Sequence, residues 1–268
     1  MIGLYPDKRA VARNFSRAAP SYDIWATPQA RCAAELARRL PEGFKPIHIV
    51  DVACGTGTLS GLLLQRYPEA RLTGFDLADG MIAVCRARWQ DERRAQFLVA
   101  DCEGKVLPPN ELNMDFVACN CSAQWFADAE ATLARWADAL APGGILACAL
   151  LIEGSFCELE AAYLEATKTA FPGLRLPDAE IGRRVARATG LRVRVCEVER
   201  FASAYPSPLD ALRYFKGIGG VFHRQPGYAP LNPVLTRRLL ACYDQRVDMR
   251  GGVAVTHIAQ YLVAEKPS

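Results

Sequence analysis

One stretch constrains the fold more than any other: Val50-Asp51-Val52-Ala53-Cys54-Gly55-Thr56-Gly57-Thr58. A β-branched run over 47–52 enters a glycine-rich turn, and 58–66 leaves it as a helix. Such a turn brings backbone close to a ligand and leaves the first helical N–H groups free. A dinucleotide fingerprint would place a third glycine where Ser60 stands, and a nucleotide P-loop would need a Lys followed by Ser or Thr.

The chain around this turn alternates. Strands are expected at 71–75, 95–100, 114–119 and 145–151, and helices at 80–94 and 129–140, the last ended by Ala141-Pro142-Gly143-Gly144. Alternation at this spacing predicts an α/β fold with a parallel, doubly wound sheet and right-handed crossovers. Upstream, 7–39 reads as helix, interrupted at Pro20 and reopened at Pro28. Past 152 the alternation fails: 155–190, 208–216 and 233–246 look helical, and 191–203 and 253–264 look like strands. The expectation is a single domain over 1–268 with seven mostly parallel strands and helices on both faces. It divides into an N-terminal helical segment (1–44), a ligand-binding core (45–152), helical lid insertions (153–190 and 207–250) and last strands (191–206 and 251–268).

Asp76 ends the second strand, 19 residues after Gly57, where a carboxylate accepts both hydroxyls of a ribose. Asp101 ends the third strand, where an acceptor suits an adenine amino group. One Asp after a strand is ordinarily a helix cap; two in register with a glycine-rich turn point to a nucleoside site.

Composition removes other classes. A formal charge of +3, with dispersed basic residues, gives no footprint for nucleic acid. No window of 18 apolar residues predicts a membrane span, and Met1 to Arg13 lacks a stretch of signal-peptide length. Ten cysteines, several within apolar runs, are expected as reduced thiols in the cytoplasm. Three histidines far apart in sequence, with Cys119 and Cys121 too close for a CxxC pair, predict no metal site.

As a set these residues resemble the motifs of class I S-adenosylmethionine-dependent methyltransferases, whose fold is Rossmann-like. DVACGTG matches the first motif, with Ala53 where glycine is usual; Phe75 to Met81 match the second, Ala100 to Cys102 the third, and Leu140 to Gly144 the segment before strand five. The resemblance implies S-adenosyl-L-methionine as cofactor, S-adenosyl-L-homocysteine as product, and a cofactor site formed by Gln29, Asp51, Ala53, Gly55, Gly57, Asp76, Leu77, Met81, Asp101, Cys102 and Asn120.

The flanks resemble the malonyl-[acyl-carrier protein] O-methyltransferase family of biotin synthesis. The matching pieces are Phe15 to Ala19 leading to Tyr22-Asp23 and Gln29, Asn120 with Gln124-Trp125, Gly154 to Leu159, and Leu212 to Gly219. The C-terminal pattern Gly-x-x-x-Thr-Tyr ends here in His257, a departure whose ordinary reading is a packed strand residue. This resemblance implies a malonyl thioester acceptor, on acyl-carrier protein or coenzyme A. Tyr22 and Arg213 would orient the reacting carboxylate, with Trp125 and Lys216 on the substrate. It implies no nucleic-acid or membrane partner, and a monomer or weak dimer. Arg183, Arg184, Arg213, Lys216 and Arg224 are the basic candidates for docking an acidic carrier. Three other readings stay open: a methyltransferase for another small acceptor, a non-catalytic cofactor-binding protein, and, against Ser60, an NAD-dependent oxidoreductase.

Overall fold

A computed structural model describes residues 7–104, 114–173, 175–220, 231–246 and 251–268. Its strands are β1 His48–Val52, β2 Arg71–Asp76, β3 Ala95–Val99, β4 Met114–Asn120, β5 Leu140–Leu151, β6 Arg192–Tyr205 and β7 Val253–Glu265. They form one sheet in the order β3-β2-β1-β4-β5-β7-β6, in which only β7 runs antiparallel to its neighbours. The chain winds outward from β1 to β3, then restarts at β4 on the other side. That reversal, between β1 and β4, is where open α/β sheets bind ligands at the carboxyl ends of their strands.

β1 shows why the sheet is central. Ile49 faces one core cluster, while Val50 and Val52 face the other. A strand apolar on both faces needs helices on both sides. The helices are α1 Lys8–Ala18, α2 Tyr22–Trp25, α3 Thr27–Arg38, α4 Thr58–Arg66, α5 Asp79–Arg88, α6 Ala129–Asp138, α7 Cys157–Thr167, α8 Ile181–Thr189, α9 Pro208–Gly217 and α10 Pro233–Asp244. Side chains of α3, α4 and α5 fill the first cluster, and those of α6 and α8 the second. Local signals set the helix starts: Asp7, Asp128, Ser207 and Asn232 accept backbone N–H groups at their caps, and Pro28 sits in the first turn of α3.

Three boundaries differ from the sequence reading. The helix expected over 129–140 stops at Asp138, and Ala141-Pro142-Gly143-Gly144 lies within β5. Met114 pairs with Leu140 and the register then shifts to Phe116 with Ile145, an irregularity that accommodates Pro142. The helix expected to reach 94 stops at Arg88, and the ring of the next residue, Trp89, packs against Gly57 and Gly61. The stretch 155–190 is not continuous helix: Lys168 ends α7 at φ +60°, and Pro172, Gly173 and Pro177 follow. α8 then joins the core layer beside α6, with Ile181, Val185 and Ala186 buried.

A third cluster caps one end of the sheet. It joins Leu159 and Ala162 of α7, Tyr214 and Phe215 of α9, and Tyr243 of α10 to Val253 and Val255 of β7. Among the described residues no helix is long and apolar enough to cross a membrane, and none form a metal-binding group of three or more His, Cys, Asp or Glu. The ten cysteines are unpaired.

Candidate active site

The turn after β1 is wound tightly: Ala53, Gly55 and Gly57 have φ of 53°, 58° and 83°. It is tied to the end of β2 by one carboxylate. Asp76 Oδ2 accepts the Gly55 N–H at 2.9 Å, and its Oδ1 accepts the Ala78 N–H at 2.8 Å. Each oxygen keeps acceptor capacity toward the cavity. Burial raises the Asp76 carboxyl above the ordinary range, against the N–H groups of Ala78, Gly55 and Leu77. A Cβ on Gly55 would meet no protein atom within 4 Å, so the turn faces open space there. On Gly57 it would stand 2.9 Å from Trp89 Nε1, so that glycine serves packing instead.

Asp51 lies beneath this floor. It is buried and accepts a 2.5 Å hydrogen bond from Ser60 Oγ. Burial pushes its carboxyl up to about 7, against the Ser60 bond. Ser60, the residue that breaks the dinucleotide fingerprint, thus has a structural partner of its own.

Above the turn is a cavity of about 700 Å³. Of the expected cofactor residues, Ala53, Gly55, Asp76, Leu77, Met81, Asp101, Cys102 and Asn120 line it. Asp51 and Gly57 stand behind that lining, and Gln29 lines a neighbouring cavity. The segment from Phe15 was expected above the strand ends, and Phe15 lines the cavity there; sequence reasoning missed Lys8 and Val11, which line it from the same helix. Lys8 Nζ lies 2.6 Å from Asp101 Oδ2 and 2.8 Å from Glu103 Oε2, so Asp101 is held in an ion pair. The lining fits S-adenosylmethionine: a carboxylate with spare acceptor capacity for a ribose diol, apolar Val11, Leu77, Met81 and Phe126 for a base, and a backbone cradle with room at Gly55.

The neighbouring cavity, of about 620 Å³, is mostly apolar, walled by Leu151, Phe156, Phe171, Leu176, Phe215 and Ile218. Phe15, Tyr22, Cys121 and Trp125 line both cavities. The Phe15 and Trp125 rings meet edge-on at 5.2 Å, and Phe15 lies 6.3 Å from Tyr22. Burial pushes the Tyr22 phenol well above its usual value, so it remains an O–H donor. α2 is anchored by Asp23, which accepts from Thr56 Oγ1 at 2.5 Å and pairs with Arg88.

A polar chain runs behind this wall. Asn120 Nδ2 donates to the Gln29 carbonyl at 3.0 Å, Gln29 Nε2 donates to Tyr214 Oη at 3.1 Å, and Tyr214 Oη lies 2.9 Å from His257 Nε2. His257 stacks on Phe201 at 5.1 Å. Burial lowers its imidazole to about 4, so it is neutral, a packed residue as its ordinary reading had it.

The expected basic substrate contacts do not join the site. Arg213 and Lys216 line a surface groove with Arg17 and Trp25, and Arg213 pairs with Asp210 at 2.9 Å. The reason is helical phase: Ala211, Tyr214, Phe215 and Ile218 turn inward, leaving Arg213 and Lys216 on the outer face. Arg183 and Arg184 sit on α8, where Arg184 pairs with Glu130 and Asp178; Arg224 lies outside the described residues.

Sheet order, switch-point cradle and paired cavities are those of a class I methyltransferase. The profile of the Methyltransferase domain family matches residues 49–144. The fold is that of the YcgJ protein of Bacillus subtilis, with a TM-score of 0.62 at 12% identity over 89% of this chain and 99% of that one. Phosphoethanolamine N-methyltransferase 2 of Haemonchus contortus aligns with a TM-score of 0.57 at 19% identity, over 94% of this chain and 57% of that one. In sequence, the chain is 36% identical to the malonyl-[acyl-carrier protein] O-methyltransferase of Hahella chejuensis over 94% of this chain and 88% of the relative. It is 30% identical to that of Geobacter sulfurreducens over 97% and 99%. The chain belongs to the malonyl-[acyl-carrier protein] O-methyltransferase family.

Proposed function

We propose that this enzyme uses S-adenosylmethionine to methylate the free carboxylate of a malonyl thioester on acyl-carrier protein, early in biotin synthesis. The observation that carries the reading is the shared wall: Tyr22 and Trp125 border both a nucleoside-shaped cavity and an apolar one. When bound, S-adenosylmethionine supplies a methyl group on a sulfonium, which needs no further activation.

The residues then have to bind, orient and exclude water. Asp76 accepts the ribose hydroxyls while the Gly55 turn gives the ligand room. The Tyr22 hydroxyl donates to one oxygen of the acceptor carboxylate and fixes its approach; near-attack geometry means reacting atoms about 3–3.5 Å apart. Leu151, Phe156 and Phe215 strip water from that carboxylate. Among the described residues no Lys or Arg lines this cavity, and the lid arginine expected on the malonyl group is not among them. No base is required, because a malonyl carboxyl titrates near pH 4 or below. The work belongs in the cytoplasm, performed by a monomer or weak dimer without nucleic acid.

A second reading, an uncharged small acceptor, is favoured by Glu160 on the same cavity's lining. Labelled methyl transfer separates the two. Malonyl-carrier protein should take up base-labile label, malonyl-coenzyme A less and free malonate least. A protein that binds the cofactor yet labels no malonyl thioester would overturn the first reading.

A further inference from the structure

The acceptor cavity holds two hydrogen-bond acceptors that the described residues leave unused. Gln124 sits in the 3-10 turn Ala123–Trp125, and its Nε2 donates to the Cys121 carbonyl at 2.7 Å. A carbonyl can only accept, so this amide cannot be turned round. Its Oε1 is therefore fixed; it is buried and has no partner among the described residues. Gln29, only 9% exposed, stands the same way: its Nε2 is spent on Tyr214, and its Oε1 is buried without a partner. Both side chains line the same cavity, whose other walls are largely apolar.

Leaving a buried acceptor unpaired is costly, and such groups in folded proteins call for a partner. Two on one cavity call for a ligand that brings donors. The carboxylate to be methylated brings none once ionised. The arm of a carrier thioester does: beyond the sulfur lie methylene pairs interrupted by secondary amides, each with one N–H.

We infer that Gln124 and Gln29 accept hydrogen bonds from the secondary-amide N–H groups of the thioester arm. The acceptor cavity is thus an amide-reading subsite that selects an arm-linked acceptor over a free diacid. The inference rests on the malonyl thioester reading and adds what the enzyme recognises beyond the reacting carboxylate. Apolar walls take the methylenes of the arm, and the two amide oxygens set its register.

The test crosses enzyme variants with substrates. Gln124→Met and Gln29→Met keep length and remove the acceptor, together with the donor to the Cys121 carbonyl or to Tyr214, a loss that both substrates feel alike. Each is assayed with malonyl-pantetheine and with a malonyl alkyl thioester of matched length that carries no amide. Each variant should lose about tenfold more in kcat/KM on malonyl-pantetheine than on the alkyl thioester. Activity on the alkyl thioester also reports that the variants fold. Equal losses on both substrates, or no loss on malonyl-pantetheine, would overturn the inference. Pantetheine itself, titrated into protein loaded with S-adenosylhomocysteine, reads the subsite without methyl transfer. It should bind each variant about five- to tenfold more weakly than the wild type. Affinity indifferent to both glutamines sinks the amide subsite, whereas absence of turnover on every malonyl thioester sinks the acceptor assignment instead.

Discussion

At the scale of single residues, the proposed function gives Asp76 and Tyr22 different work. Asp76 organises its surroundings through two backbone N–H groups and still has acceptor capacity for a ligand. Charged hydrogen bonds are worth about 1.5–3 kcal/mol each. Asp76→Ala should therefore weaken S-adenosylmethionine binding by about a hundredfold or more with the fold kept, read by calorimetric titration alongside thermal melting; near-normal affinity would reject the assignment. Tyr22, on the wall shared by both cavities, has a proposed role toward the acceptor. Tyr22→Phe should lower kcat about ten- to hundredfold while cofactor affinity stays within about twofold. In the wild type kcat should show no steep climb from pH 6 to 8, since the acceptor is already ionised, Tyr22 is pushed upward and His257 is held at about 4, while Asp51, at about 7, lines neither cavity. A kcat rising tenfold per pH unit there would reveal a deprotonation step and sink the carboxylate reading.

At the scale of elements, α1 decides whether the nucleoside cavity has a roof. It meets α5 at Gly80, where a Cβ would stand 2.6 Å from the Ser16 carbonyl oxygen and 2.7 Å from its Cα, both backbone atoms that cannot swing aside. Gly80→Ala should force the two helices apart. The expected result is about tenfold weaker cofactor binding and faster trypsin cleavage after Arg13 and Arg17, with far-ultraviolet circular dichroism unchanged; unaltered cleavage and binding would mean that α1 tolerates the shift. This element also marks the limit of what could be read. The floor was legible because the Gly55 turn and Asp76 follow strand ends, and short-range spacing carries their geometry. The roof was legible only at Phe15, because the polar and apolar spacing of Lys8 to Ala18 specifies a helix with a buried face but not what that face covers. Likewise, the motif around Arg213 correctly marked a helix, while its rotation was set by Tyr214 and Phe215 packing into the third cluster. Asp51 and Gly57 were read as cofactor contacts; the side of the turn they face depends on Ser60 of α4 and on Trp89 just past α5, whose packing the motif does not encode.

Across the whole molecule, two buried groups give stability opposite dependences on pH. Asp51 has a folded value of about 7, above its unfolded value, so the folded state holds the extra proton between about pH 4 and 7. Its contribution is most favourable below pH 4 and is lost as pH rises through that window. His257 has a folded value of about 4, below its unfolded 6.5, so the unfolded state holds the extra proton between them. Its contribution is present above pH 6.5 and is lost as pH falls toward 4. Denaturant titrations of Asp51→Asn and His257→Phe across pH 4–8 should show this as differences from the wild type. The Asn variant should gain relative stability as pH rises from 4 to 7, and the Phe variant should gain it as pH falls from 6.5 to 4. Parallel profiles would mean that neither group carries a perturbed proton in the fold. The sequence marked Asp51 as a cofactor contact and His257 as a packed strand residue; their depth in the molecule comes from the seven-stranded assembly, which no local pattern contains.

The bridge from Lys8 to Asp101 and Glu103 has a kinetic consequence. What holds α1 against the nucleoside cavity includes one exposed ion pair, with Lys8 and Asp101 36% and 42% exposed, and a second from Lys8 to Glu103, whose side chain is 7% exposed. The exposed pair holds with about 1 kcal/mol or less and fades when mobile ions crowd within about 8 Å at physiological strength. Ionic strength therefore acts as a throttle. Wherever product escape sets the pace, added salt quickens the cycle while loosening the grip on the next donor molecule, with no change in the chemistry beneath.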